Sequence, residues 1–300
     1  MFIDTAFQSE GATLRGRLYG DPGGSNPIVV MAHGTSATIT MAIDGHAAGM
    51  HAAGFDVLLF DHRNFGLSAG EPRQQINPWV QARGYRDAVR FLREQSRDRK
   101  IVLWGDSYSG MVVLVAGALI DGIDAVIAQI PACGIALPDV RSGDPDAVLA
   151  QMRATFEHGD VSGGPEQTMG PMPVVSADQQ SVPSLLVPIQ AFRWFIEYGG
   201  RHGTRWENRA SRVIPDTPVP FHAWHTAPYL SMPVLMMVGR DDEMVHCAPD
   251  VQLAVYDRIP GAKAFQEVDG GHFGLLWQPG ALFDQAVARQ VDFLQRTIEV

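Results

Sequence analysis

Short, almost wholly apolar runs alternate with longer helical patterns along this chain, and that rhythm limits its architecture more than any other feature. The runs are 27–32 (PIVVMA), 56–60 (DVLLF), 100–104 (KIVLW) and 125–130 (AVIAQI), with 233–238 (PVLMMV) and 263–268 (KAFQEV) much later. A strand with one wet face alternates polar and apolar residues, whereas a strand covered on both faces need not. Between the runs, 42–53 and 80–95 read as helices. In the second, Val80, Tyr85, Ala88, Val89 and Leu92 form a stripe at helical spacing. The pattern predicts a mostly parallel sheet with helices on both faces, the α/β class. At the start, 2–8 and 13–19 alternate around Gly11 and predict an antiparallel hairpin.

The rhythm stops after Pro131. Between 133 and 230 no strand is expected, and helical pieces are predicted at 145–157, 186–198 and 204–213. The segment 159–173 is dense in glycine and proline, a composition suited to a lid. Strands then return at 233–238 and 263–268, with helices at 249–258 and 282–297. The simplest organisation is one core built from 1–131 and 232–300, interrupted by a mainly helical cap over 132–231. A chain of 300 residues, 46% hydrophobic and 19% charged, has ample material for such a core.

Several function classes are disfavoured. A net charge of −10 repels phosphate backbones, so nucleic acid is not an expected partner. Cys133 and Cys247 are too few for a disulfide framework or a zinc cluster and are expected to be packing residues. The first ten residues carry no secretory pattern. The apolar stretch 111–137 is broken by Asp121 and Asp124, so no membrane span is expected and a cytoplasmic location is the default. His222 and His225 have metal-ligand spacing, but Pro218 and Pro220 precede them and no third ligand is evident, so no metal is assigned.

The chemistry concentrates at 100–110, KIVLWGDSYSG, where a strand runs into a sharp turn and an apolar helix. That is the context of a nucleophile elbow, in which a strained turn projects Ser107 and aims the first helical N–H groups at a reacting carbonyl. The turn requires small neighbours; Gly105 meets this, and Ser109 stands where glycine is usual. A serine hydroxyl needs a base. His272 follows a strand and precedes the last helix, and it is preferred over His33, His222 and His225. An imidazole base needs a carboxylate, and the strand 233–238 ends in Gly239-Arg240-Asp241-Asp242-Glu243. Asp242 is favoured over Asp241, though the sequence leaves that choice open. Oxyanion donors are expected from the N–H groups of Tyr108 and of Thr35, in the loop after the first apolar run. Within the cap, Phe192, Trp194 and Phe195 either line a hydrophobic substrate pocket or anchor the cap to the sheet.

These blocks (HG, DHRNFGLSAG, GDSYSG, GRDDEMV and GGHF, in that order) resemble the α/β-hydrolase superfamily over 27–130 and 232–298. The segment FDHRNFGLSAGEPR followed by NPW is similar to dienelactone-hydrolase-like and serine-aminopeptidase-like members. The Gly-x-Ser-Tyr form is also similar to cocaine-esterase and X-prolyl-peptidase relatives. Those use an oxyanion tyrosine, and none follows His33-Gly34 here. The resemblance implies an α/β-hydrolase fold with an eight-stranded sheet, no metal and no organic cofactor. It implies a Ser107–His272–Asp242 serine hydrolase that forms an acyl-enzyme from a small-molecule carboxylic ester with an apolar acyl or alcohol group. Acyl transfer, thioester cleavage and peptidase activity on the same triad are the alternatives, and a catalytically silent ligand-binding protein is a more distant one. Homo-oligomerisation stays open.

Overall fold

The computed structural model describes residues 1–139 and 144–298; residues 140–143, inside the predicted cap, and 299–300 lie outside the described residues. The strands are β1 (Ile3–Ser9), β2 (Ala12–Tyr19), β3 (Ile28–Ala32), β4 (Asp56–Phe60), β5 (Gln75–Ile76), β6 (Ile101–Asp106), β7 (Ala125–Gln129), β8 (Thr168–Met172), β9 (Ala210–Val213), β10 (Val234–Gly239) and β11 (Lys263–Val268). The helices are α1 (Ile43–Ala52), α2 (Pro78–Gln95), α3 (Ser107–Leu119), α4 (Pro145–His158), α5 (Ile189–Gly199), α6 (Ala223–Thr226), α7 (Pro249–Asp257) and α8 (Ala281–Thr297).

Eight strands form the main sheet in the order β1-β2-β4-β3-β6-β7-β10-β11. Only the β1–β2 and β2–β4 pairings are antiparallel; the other pairings are parallel. The five strands β4, β3, β6, β7 and β10 are buried at every residue, which is why their sequences are apolar without alternation. Exposure returns at the two edges, in β1 and β11. Helices α2 and α3 pack on each other, as do α1 and α8. This is the mostly parallel α/β architecture, covered on both faces, that the rhythm of the sequence predicts. No helix among the described residues is long and apolar enough to cross a membrane.

Local chemistry sets where the elements begin. Asn77 caps α2, its Oδ1 accepting the N–H groups of Trp79 at 3.1 Å and Val80 at 3.3 Å, and Pro78 occupies the first turn where no N–H is needed. Within α2, Tyr85 is buried and donates its hydroxyl to the Trp104 carbonyl at 2.8 Å, fixing the helix against β6. Arg83, also on α2, donates to the carbonyls of Thr155, Phe156 and Gly159 and pairs with Glu10. Its cation thus meets carbonyls at the negative end of α4, docking that helix onto the core.

The stretch 133–230 departs from expectation in one respect: it contains strands. The expected helix at 204–213 is instead a loop ending in β9, and 168–172, in the segment expected to act as a lid, is β8. β9 lies between β5 (parallel) and β8 (antiparallel), making a second, three-stranded sheet. β5 precedes α2, so this small sheet joins two remote parts of the chain. The clamp is Gln74, buried at 1% exposure. Its side chain donates to the carbonyls of Glu207 and Arg209, accepts the Glu207 N–H at 3.0 Å, and its carbonyl accepts the Ser211 N–H at 3.1 Å.

Gln74→Ala would remove the side-chain partner of the Arg209 carbonyl and of the Glu207 N–H. We expect a loss of about 1–3 kcal/mol in urea denaturation. Hydrogen exchange should accelerate first over 207–213; uniform acceleration across the main sheet would contradict the clamp.

Candidate active site

β6 passes into α3 without a loop: Asp106 is the last strand residue and Ser107 the first helical one. So sharp a turn holds Ser107 at φ +52°, in the left-handed region that non-glycine residues enter only under constraint. Space around the turn is correspondingly tight. A Cβ on Gly105 would overlap the Ser109 carbonyl, and one on Gly34 would sit 2.9 Å from the Ser107 Cβ. The loop after β3 is therefore pressed directly against Ser107, and only glycine at 34 permits it. Tyr108 is the second residue of α3, so its N–H is among the helical donors that have no intrahelical acceptor.

Ser109, where glycine is usual, ties this turn to its neighbours. It is fully buried, and its Oγ donates to the His33 carbonyl at 2.6 Å. Having used its one proton, it must accept from His62 Nε2 at 2.8 Å. His33 donates from Nδ1 to the Gly34 carbonyl at 2.9 Å and accepts the His62 N–H on Nε2 at 3.2 Å. Burial lowers the pKa of both imidazoles, His33 to about 4 and His62 well below the ordinary value. Both are neutral and committed to holding the β3 loop, the loop after β4 and α3 together.

His272 is arranged differently. It begins the short turn after β11, where its backbone N–H donates to Glu243 Oε2 at 2.8 Å. Its Nδ1 lies 2.9 Å from Asp242 Oδ2, and the two side chains are 3% and 2% exposed. The other oxygen, Asp242 Oδ1, accepts the Met244 N–H at 2.9 Å, so the carboxylate is oriented from both sides. Asp241 is exposed. Of the rival histidines, His222 caps α6 through Nδ1, accepting the Trp224 N–H at 3.0 Å, and burial lowers its pKa to about 4. Two contributors were missed from sequence: Glu243, which holds the His272 backbone, and Cys247, whose Sγ lies 3.6 Å from His272 Nδ1. Asp242, Cys247 and His272 could in principle hold a metal, since their donor atoms lie within 4.8 Å of one another. The donor set fits poorly: Asp242 and His272 are already bonded to each other, and burial pushes the Cys247 thiol well up, against forming a thiolate.

A cavity of about 370 Å³ opens beside these residues, lined by Thr35, Ser107, Tyr108 and His272, with Trp194 and Phe195 among its apolar walls. Phe192, expected to belong with them, does not line it; it is half-buried against the core. Trp194 and Phe195 do both things that were expected as alternatives. They face the cavity, and they pack on Phe273, next to His272, with ring centroids 5.7 and 6.4 Å away, while Trp194 Nε1 donates to the Leu276 carbonyl at 3.0 Å. The cavity also meets Asp106, whose carboxyl is raised to about 7, chiefly by burial; its Oδ1 has no partner.

Residues 24–167 match the family model described as serine aminopeptidase, S33. The chain is 31% identical over 298 residues to the thiohydrolase aneE of Aspergillus aculeatus, covering 95% of this chain and 90% of that protein. It is 28% identical over 303 residues to the polyketide transferase af380 of Aspergillus fumigatus, covering 97% and 96%. Among solved structures, the alpha/beta hydrolase GrgF from Penicillium sp. sh18 superposes with a TM-score of 0.70 at 24% identity, covering 99% of each chain.

Two outcomes follow from the buried polar groups. Ser109→Ala strands the His33 carbonyl and the His62 Nε2–H, and should cost about 1–3 kcal/mol in urea denaturation; a neutral substitution would mean the serine only fills space. Asp106 has a folded pKa above its unfolded one, so its contribution to stability is complete below about pH 4 and is lost as pH rises through about 7. Asp106→Asn keeps the shape and cannot ionise. Its stability in urea denaturation should gain on wild type between about pH 4 and pH 7, by up to about 1.4 kcal/mol per pH unit. A pH-independent difference would rule this out.

Proposed function

The chain belongs to the α/β-hydrolase superfamily of serine hydrolases, and from that premise we propose that it transfers an acyl group through an ester on Ser107, with His272 as base and Asp242 as its partner. The observation that carries this is the buried 2.9 Å Asp242–His272 bond, made by a histidine that shares its cavity with a serine held in a strained turn. With Nδ1 bonded to Asp242, the imidazole has Nε2 available to take the Ser107 proton as Oγ attacks the carbonyl carbon. Asp242 keeps the ring in that tautomer and stabilises the imidazolium. The N–H groups of Thr35 and Tyr108 receive the oxyanion, where removing one donor typically costs about 10²–10³ in rate. The imidazolium then protonates the leaving thiol or alcohol, and water attacks the acyl-serine to return the enzyme.

Whether the acyl donor is an ester or a thioester turns on the leaving group. The names of two relatives, a thiohydrolase and a polyketide transferase, favour a thioester donor, and the second points to acceptors other than water. The walls formed by Trp194, Phe195 and Leu276 suit an acyl chain of substantial hydrocarbon content. A thioester and an oxoester of the same acyl chain, assayed side by side, decide the donor, and product analysis with a competing alcohol decides the acceptor.

Ser107→Ala should abolish fluorophosphonate labelling and reduce kcat/KM by at least about 10⁴-fold. Asp242→Asn should lower kcat by about 10⁴-fold with the fold intact. Undiminished turnover by the Ser107→Ala protein would exclude the acyl-serine pathway.

A further inference from the structure

One group on the cavity wall has no part in the chemistry above. Arg212 lies in β9, paired with Ile76 of β5 on one side and Met169 of β8 on the other, so its backbone is fixed from both edges. Its side chain reaches the cavity beside the Tyr108 hydroxyl. Its Nε is buried without an acceptor, and among the described residues it forms no ion pair, whereas Arg209 in the preceding loop pairs with Glu207.

The surroundings do not neutralise it. Of the other titratable groups on this wall, His222 is lowered to about 4 and His246 is lowered by burial and by Arg212 itself, so neither carries charge at neutral pH. Asp216 also borders the cavity, but it is exposed and makes no ion pair with Arg212. The Tyr108 phenol, pushed up to about 12 by burial, keeps its proton. The cavity therefore presents a permanent cation and a neighbouring hydroxyl donor, and its lining also includes Trp194, Phe195 and Phe221. A purely hydrocarbon chain filling this space would strip water from a guanidinium and return nothing, which is among the costlier events in a binding site. A carboxylate would meet the guanidinium donors in their preferred geometry.

We propose that Arg212, with the Tyr108 hydroxyl, is a specificity-determining anion site that binds a carboxylate carried on the acyl chain destined for Ser107. Tyr108 directly follows Ser107, so the anion is read one side chain away from the reacting carbonyl, on a chain whose remaining length packs against the aromatic wall. The proposal rests on Ser107 as the acylated residue, and it names the substrate class as half-esters or half-thioesters of dicarboxylic acids.

The test uses p-nitrophenyl half-esters of succinate, glutarate and adipate against the same compounds with the far carboxylate methylated. The wild-type protein should prefer the anionic form of at least one chain length by about 10-fold or more in kcat/KM, mainly through KM, and the preference should shrink in high salt. Arg212→Met should reverse it, lowering kcat/KM for the anionic substrate and raising it for the methylated one; Arg212→Lys should recover part of the preference. Equal wild-type rates on both forms, or an equal fall on both in Arg212→Met, would overturn the proposal. Calorimetric titration of Ser107→Ala protein with monomethyl glutarate and dimethyl glutarate separates this from the acyl-serine reading, because it needs no turnover. Binding of the monoanion alone, lost on adding Arg212→Met, supports the anion site even if Ser107 is not the nucleophile. Equal binding of both compounds sinks the site even if hydrolysis proceeds.

Discussion

The structure depends on a steric constraint: the backbone between β6 and α3 turns in less space than side chains allow. Gly105 cannot carry a Cβ because the Ser109 carbonyl occupies its place, and Gly34 cannot because Ser107 occupies its place. These contacts bring the end of β6, the start of α3 and the loop after β3 together around one hydroxyl. The left-handed Ser107 sits beside a buried polar network in which Ser109 Oγ and both ring nitrogens of His33 are hydrogen-bonded and His62 is held through Nε2 and its backbone N–H. Rigidity there is what the proposed oxyanion donors require, since preorganised N–H groups need no rearrangement as charge develops.

The two kinds of histidine at this end of the sheet make the same point electrostatically. His33 and His62 are buried with no carboxylate at hydrogen-bonding distance from the ring, Asp61 coming only to 3.8 Å from His33 Nε2, and burial lowers the pKa of both. His272 is equally buried but has Asp242 at hydrogen-bonding distance, so a positive charge formed on it would have a partner. A buried imidazole is thus left without or given a partner for a positive charge according to whether an acid comes within hydrogen-bonding distance of its ring.

What was legible in the sequence was whatever is local. Strands β3, β4, β6, β7 and β10 are buried on both faces and so are apolar in sequence; Ser107 and Asp242 each follow such a strand, and His272 follows the edge strand β11. Asp242 over Asp241 was a preference drawn from spacing, and the hydrogen bond to His272 is made by Asp242. The small sheet was illegible for a physical reason. β8 (TMGPM) contains Gly170 and Pro171, β9 (ASRV) is four residues long, and β5 has only two; none has strand character of its own. They become strands by pairing with distant segments, Gln75 with Ser211 and Thr168 with Val213, which no local pattern encodes. Ser109 stands in the sequence where glycine is usual. A small polar residue at a position that normally lacks a side chain was itself a signal that something nearby needed a hydrogen-bond partner.

Because β9 is sewn between β5 and β8, the wall that faces the substrate is not a detachable module. Exchanging the whole stretch between β7 and β10 for that of a relative would break the register with Gln75 and Ile76 unless residues 74–76 travelled with it. Diversification of pocket shape in such a scaffold is therefore easiest by point changes at side chains projecting from an unchanged backbone. Recombining cassettes would demand compensating changes far away in the chain. The hydrogen-bonded seam makes the site evolvable by substitution and resistant to shuffling.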